Sequence, residues 1–141
     1  MNTKTIELPR FITIGENCLE EIGSTINNLG KYKNILIVSG VNVKKLLDKK
    51  ITESLENQQL NYKWVTVKAP TMGSVSIVRS NTIKNKTDLL IGIGGGKSVD
   101  VAKLVAHQVN KPYISAPTTA SHDGISSPFA SCLLYTSDAA D

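Results

Sequence analysis

The residues with the greatest chemical potential fall in two stretches. The first, Gly92-Ile93-Gly94-Gly95-Gly96-Lys97-Ser98-Val99-Asp100, joins a wholly apolar run to the start of a helical pattern. Three successive glycines let backbone N–H groups approach an anion closely, because no Cβ stands in the way. A helix beginning at Lys97 would turn its unpaired N–H groups and the positive end of its dipole toward the same spot. Lys97 adds a cation and Ser98 a hydroxyl. Such a loop is suited to holding a phosphate or pyrophosphate, and that reading outweighs the plainer one of a tight strand-to-helix turn. Neither standard phosphate motif applies. Ile91 stands where a Walker loop has its first glycine, and Lys97 stands where G-x-G-x-x-G has its last. Spacing alone therefore indicates an anion cradle without naming the anion.

The second stretch runs Ala116-Pro117-Thr118-Thr119-Ala120-Ser121-His122-Asp123-Gly124, then Ile125-Ser126-Ser127-Pro128. Its hydroxyls, imidazole and carboxylate are too polar for a core, and Pro117 and Pro128 restrict it too much for a floppy linker. It reads as the wall of a site. The alternative is a hydroxyl-rich turn in which Asp123 satisfies neighbouring backbone N–H groups. Other reactive side chains carry less. Cys18 and Cys132 show no metal-ligand spacing and read as buried or idle thiols. Asp100, Lys103 and His107 line one narrow stripe at i, i+3 and i+7. Asp100 there serves the helix dipole or pairs with Lys103 as readily as it meets a ligand, and His107 reads as structural.

Both loops need rigid elements to hold them. Phe11 to Ile14 is a short strand, and Cys18, Leu19, Ile22, Ile26 and Leu29 recur at helical spacing up to Gly30. Asn34 to Val38 is a continuous apolar strand of the buried parallel type, followed after Ser39 and Gly40 by a helix over about Val41 to Asn57. Lys44, Lys45, Lys49 and Lys50 mark the outer side of that helix, and Leu46, Leu47, Ile51 and Leu55 its inner side. Tyr62 to Val67 is β-branched and aromatic; Val75, Val78 and Ile83 then suggest a weaker helix ending near Lys84. Asp88 to Ile93 is a second apolar strand, Lys97 to Val109 a buried helix with one polar edge, and Tyr113 to Ala116 a further strand. Strands alternating with such helices predict an α/β fold, a Rossmann-like, mainly parallel sheet flanked by helices on both faces. Ligands of such sheets lie beyond the carboxyl ends of the strands, so function belongs in the loops after Val38, Val67, Ile93 and Ala116.

Composition sets the outer bounds. The chain has 141 residues, 40% hydrophobic and 20% charged, with a mean hydropathy of −0.07, which describes one ordinary globular domain or a piece of a larger protein. Its longest apolar runs fall far short of the roughly 18 residues of a membrane span, and Met1 to Arg10 has no apolar signal region. A cytoplasmic location is the default expectation. The net charge of +4 comes from dispersed lysines, and aromatics make up only 5% of the residues, so no stacking platform for bases is expected. Nucleic acid is not an expected partner.

In order and spacing, GIGGGKSVDVAK at Gly92 to Lys103 and APTTASHDGISSPFAS at Ala116 to Ser131 resemble the sn-glycerol-1-phosphate dehydrogenases. These form a branch of the iron-containing alcohol dehydrogenase and dehydroquinate synthase superfamily. The opening ELPRFITIGENCLEEIG from Glu7 is similar to the first strand and helix of that family. The resemblance implies NAD or NADP as cofactor and reduction of dihydroxyacetone phosphate to sn-glycerol 1-phosphate for archaeal-type ether lipids. It also implies residue roles. Gly94, Gly95, Gly96, Lys97, Ser98, Val99 and Asp100 would hold the cofactor pyrophosphate. Thr118, Thr119, Ala120 and Ser121 would lie along the cofactor near its nicotinamide, Ser127 would also touch it, and Asp123 would contact the substrate. Ser39-Gly40-Val41 offers no carboxylate for a ribose 2′-hydroxyl, so exclusive use of NAD is not supported.

The family's helical second domain, which supplies one Asp and two His to a catalytic metal, usually zinc, has no counterpart in this sequence. Neither His107 nor His122 matches a ligand position, so no metal ligand and no catalytic residue is assigned, and zinc is expected only in a full-length protein. The resemblance implies a cofactor-binding domain over residues 1–131 and a non-native tail over residues 132–141, the latter resembling translated adapter sequence. Such a chain is expected to bind cofactor weakly without turnover. A homo-oligomer remains open for the full-length protein. Dehydroquinate-synthase-like or glycerol-dehydrogenase-like relatives, and a non-catalytic nucleotide-binding module, are the alternatives.

Overall fold

The two apolar runs around Leu36 and Leu90 become neighbouring parallel strands, buried on both faces as their unbroken hydrophobicity requires. A computed structural model of the chain describes residues 11–15, 18–119 and 129–135. Its elements are β1 (Phe11–Gly15), α1 (Ile22–Leu29), β2 (Asn34–Ser39), α2 (Val41–Asn57), β3 (Asn61–Thr66), α3 (Met72–Lys84), β4 (Leu89–Gly94), α4 (Gly96–Val109), β5 (Tyr113–Thr119) and β6 (Phe129–Tyr135). The sheet runs in the order β1-β6-β5-β4-β2-β3. Strands β5, β4, β2 and β3 are mutually parallel, and β6 pairs antiparallel with both β5 and β1. The mainly parallel α/β sheet is as expected; the antiparallel strand β6 adds to it. Residues Cys132 to Tyr135, placed by the sequence reading in a foreign tail, form the second half of β6.

Alternation along the strands divides the core in two. Ile35, Ile37, Leu89, Ile91, Ile93 and Ile114 face α1 and α2, where Ile22, Ile26, Leu47, Ile51 and Leu55 meet them. Leu36, Val38, Leu90 and Tyr113 face the other way, onto Val75 and Val78 of α3 and Val101, Ala102 and Val105 of α4. The connection from β2 to β3 steps toward one edge and that from β4 to β5 toward the other. Right-handed crossovers then put α2 and α4 on opposite faces. The order therefore reverses between β2 and β4, where a ligand crevice forms in open α/β sheets.

Three apolar residues fall on the other side of their helices from the one expected. Leu46 is 43% exposed and Ile83 61% exposed, while the buried stripe of α3 is Val75, Val78 and Thr82. Ile83 stands eight residues from Val75, about 80° round the helix, whereas Thr82 at seven comes back to within about 20° of it. Leu104 is 43% exposed, so α4 is amphipathic rather than apolar nearly all round. Helix α1 begins at Ile22; Cys18 and Leu19 are buried, but in the turn that precedes it.

Candidate functional site

The last residue of β4, Gly94, has φ +117°, a conformation that side-chain-bearing residues rarely adopt. That turn sends the chain directly into α4. Gly92, two residues earlier, lets the helix lie close: a Cβ there would stand 2.9 Å from Val99 Cα and 2.9 Å from Ala102 Cβ. The first turn of α4 is thus held against the end of β4 by what these two glycines lack. Gly95 caps the helix with extended backbone and no side chain, so the N–H groups of the first turn are left for solvent or a ligand. A Cβ on Gly95 would have no atom within 4 Å, and one on Gly96 would meet only an Asp100 carboxylate oxygen at 4.0 Å. The space above Gly95 and Gly96 is open.

Helix α2 opens toward the same place. Its cap is Gly40, again extended and without a side chain. The adjoining tip of β2 is fixed by Ser39, which is fully buried; its hydroxyl donates to the Gly40 carbonyl at 2.9 Å and accepts from Trp64 Nε1 at 2.8 Å. Val67 N–H donates to the Ser39 carbonyl at 2.9 Å, which ties the end of β3 alongside. Between these tips lies a cleft of about 460 Å³ lined by Gly40, Val41, Asn42, Val43, Val67, Lys68, Gly95, Gly96, Lys97 and Ser98. Two helix N-termini and two lysines face it, and none of its lining residues is acidic. Such a concavity concentrates positive potential and suits a polyanionic ligand.

The expected site residues distribute unevenly around this cleft. Gly95, Gly96, Lys97 and Ser98 line it, and Gly94, which is not among its lining residues, lies against Val43, which is. Val99 is half-buried and Asp100 exposed in the first turn of α4, and neither is on the cleft wall. Pro117 of β5 is paired with Gly94, and Thr118 follows it along β5. Thr119 ends β5 opposite Phe129. Ala120, Ser121, Asp123 and Ser127 lie outside the described residues. Gly40, Val41, Asn42, Val43, Val67 and Lys68 were not singled out as ligand contacts. The available signal was the rule that the loops after Val38 and Val67 end at the ligand side of the sheet.

Other titratable groups stand apart. Tyr62, on β3, has its pKa raised above the ordinary tyrosine value, chiefly because its hydroxyl donates to the Glu56 carboxylate at 2.6 Å. Asp88 accepts from the N–H groups of Lys33 and Asn34 at 3.0 and 2.9 Å, joining the starts of β2 and β4 at the end away from the cleft. His107 lies in the last turn of α4 with its ring 6.0 Å from that of Tyr113. Among the described residues, no three His, Cys, Asp or Glu side chains converge as metal ligands. No helix among them is long and apolar enough to cross a membrane.

Comparison with known proteins gives a consistent result. The sequence pattern of the iron-containing alcohol dehydrogenases matches residues 13–138. Glycerol-1-phosphate dehydrogenase [NAD(P)+] of Nitrosopumilus maritimus (strain SCM1) is 41% identical over 131 residues, 93% of this chain and 37% of that protein. The enzyme of the same name from Methanobrevibacter smithii is also 41% identical, over the same shares of both chains. The chain thus spans just over a third of the length of these relatives. Among solved structures, NADH-dependent butanol dehydrogenase A from Thermotoga maritima superposes with a TM-score of 0.66 at 26% identity, covering 77% of this chain and 28% of that one.

Proposed function

The chain belongs to the iron-containing alcohol dehydrogenase family, and from that premise we propose that it is the nucleotide-binding part of an NAD(P)-dependent sn-glycerol-1-phosphate dehydrogenase. One observation carries the proposal: two uncapped helix N-termini meet over open glycines at the point where the strand order reverses. The N–H groups at Gly96, Lys97 and Ser98 hold the pyrophosphate, with Lys97 as counter-charge. Thr118 and Thr119, on the β5 side, flank the nicotinamide half, followed by Ala120, Ser121 and Ser127, while Asp123 meets the substrate. When bound there, a nicotinamide cofactor would supply the hydride for reducing a ketone such as that of dihydroxyacetone phosphate. The chain's own contribution is to bind and orient that cofactor. Zinc is part of this reading only for a full-length protein. The cofactor-binding domain over residues 1–131 and a foreign tail from residue 132 are part of the same proposal, as is the cytoplasmic setting.

The single tryptophan makes the test direct. Trp64 is hydrogen-bonded to Ser39 at the edge of the cleft, and its emission overlaps NADH absorption. Titrating NADH or NADPH into the 141-residue chain is expected to quench Trp64 saturably, without oxidation of the cofactor when dihydroxyacetone phosphate is added. Absence of saturable quenching by either nucleotide would refute the reading, and turnover by the purified chain would refute the part that places the metal elsewhere.

A further inference from the structure

The reading above fixes the direction of the dinucleotide, and the inference that follows rests on it. With the pyrophosphate at the start of α4 and the nicotinamide toward β5, the order β5-β4-β2-β3 leaves the adenosine half over the tips of β2 and β3. An NAD-selective site places a carboxylate there for the ribose 2′-hydroxyl, and a site that accepts NADP places a cation. This chain has no Asp or Glu between Glu21 and Asp48, nor between Glu56 and Asp88, so neither tip carries an acid. The Ser39 hydroxyl, fully buried and bonded to both Trp64 and Gly40, is turned inward. The adjoining cation is Lys68. It follows Val67, whose N–H is bonded to the Ser39 carbonyl and whose own carbonyl lies 4.0 Å from where a Cβ on Gly40 would be. Lys68 is exposed and lines the cleft on the β3 side, across from Lys97 on α4.

We propose that Lys68 is the specificity-determining residue for the adenosine half, contacting the 2′-phosphate of NADP(H) while Lys97 serves the pyrophosphate. A charge-assisted contact of this kind favours the 2′-phosphorylated nucleotide by about tenfold. Adenosine fragments isolate the effect from the nicotinamide end and from any metal. Calorimetric titration of adenosine 2′,5′-bisphosphate and of 5′-ADP into the 141-residue chain compares the two at one ionic strength. Wild type is expected to prefer the 2′,5′ compound about tenfold. Lys68→Ala should remove that preference, the two compounds then binding alike, with any loss of general positive potential weakening both together. Lys68→Arg should keep the preference. Lys63→Ala, also on β3 but away from the cleft, should leave it unchanged, which separates a specific contact from loss of overall charge. No preference in wild type, or a preference that survives Lys68→Ala, overturns the assignment of Lys68 while 5′-ADP binding keeps the nucleotide site. Failure of folded protein to bind either compound overturns the nucleotide reading and this inference together.

Discussion

Alanine at each position of the glycine loop should separate the residues that build the cleft from those that leave it open. At Gly92 a Cβ would meet Val99 Cα and Ala102 Cβ at 2.9 Å and the Ser98 carbonyl at 3.3 Å, mostly atoms fixed to the helix backbone. Helix α4 must shift away from β4, an overpacking cost of about 1–3 kcal/mol. The stiffer unfolded chain returns about 0.4–1 kcal/mol of this, leaving a net loss of roughly 1–2 kcal/mol. Gly94→Ala meets φ +117°, strain of about 1–3 kcal/mol, with Val43 Cγ2 at 3.1 Å from the new methyl. Gly95→Ala differs in kind. Its backbone is ordinary extended chain and the methyl would have no neighbour within 4 Å. The same unfolded-state gain is offset by the poorer capping of alanine, about 1 kcal/mol, so stability stays near its starting value. The methyl nonetheless projects into the space above the first turn of α4, where a phosphate must approach the N–H groups. Thermal melts should therefore show Gly92→Ala and Gly94→Ala lowered by several degrees and Gly95→Ala within about 2 °C of wild type. The Trp64 quenching titration should show affinity reduced at least tenfold in Gly95→Ala. Wild-type nucleotide affinity in Gly95→Ala would refute the cradle, and a melt lowered as far as that of Gly92→Ala would show that Gly95 is structural.

Two further perturbations test the packing and electrostatics around this frame. Gly23 of α1 donates its N–H to Ser54 Oγ at 2.8 Å, and a Cβ there would overlap the Ser54 carbonyl, so Gly23→Ala must part α1 from α2. A loss of about 3 kcal/mol or more is expected in urea unfolding, and an unchanged midpoint would contradict the close packing of these helices. Tyr62 keeps its proton longer in the folded protein than in the unfolded chain because of its bond to Glu56. Its contribution is therefore full below the unfolded tyrosine pKa near 10 and is lost as pH rises through the higher folded value. The side chain is 37% exposed, so solvent screening keeps the effect to a few tenths of a kcal/mol. Tyr62→Phe should be slightly less stable than wild type at about pH 8, with the gap narrowing above about pH 10; a gap that widens would reverse the assigned direction.

The elements were legible in the sequence where burial leaves a periodic trace. Strands β2 and β4 are apolar on both faces, and the helices that follow them carry apolar stripes, so the βα alternation follows from hydrophobicity alone. The stripes were less exact than the elements. Leu46, Ile83 and Leu104 are apolar but exposed, because one step along a helix turns a residue by about 100° and only packing decides which of two adjacent apolar residues faces the core. Strand β6 left no comparable trace. It pairs with β1 across nearly the whole chain, and an antiparallel partner so distant in sequence cannot be read from a local pattern.

The cleft divides along the same line. Gly94, Gly95 and Gly96 were legible because their chemistry is local: successive glycines before a helix free the backbone for an anion wherever the loop sits. The opposing wall was not, because Gly40 and Lys68 acquire meaning only from strand order. In sequence Lys68 is one of many dispersed lysines, and Gly40 is one more glycine before a helix. In the sheet, β2 lies between β3 and β4, so the ends of all three strands meet, and the hydrogen bond from Val67 to Ser39 brings Lys68 beside Gly40. Topology thereby turns an unremarkable residue into a cation on the cleft wall. It also turns the absence of acids from two separate stretches into a property of one surface. A carboxylate in either loop would have opposed a 2′-phosphate; with both loops free of acid, the charge of Lys68 stands unopposed among the cleft's lining residues.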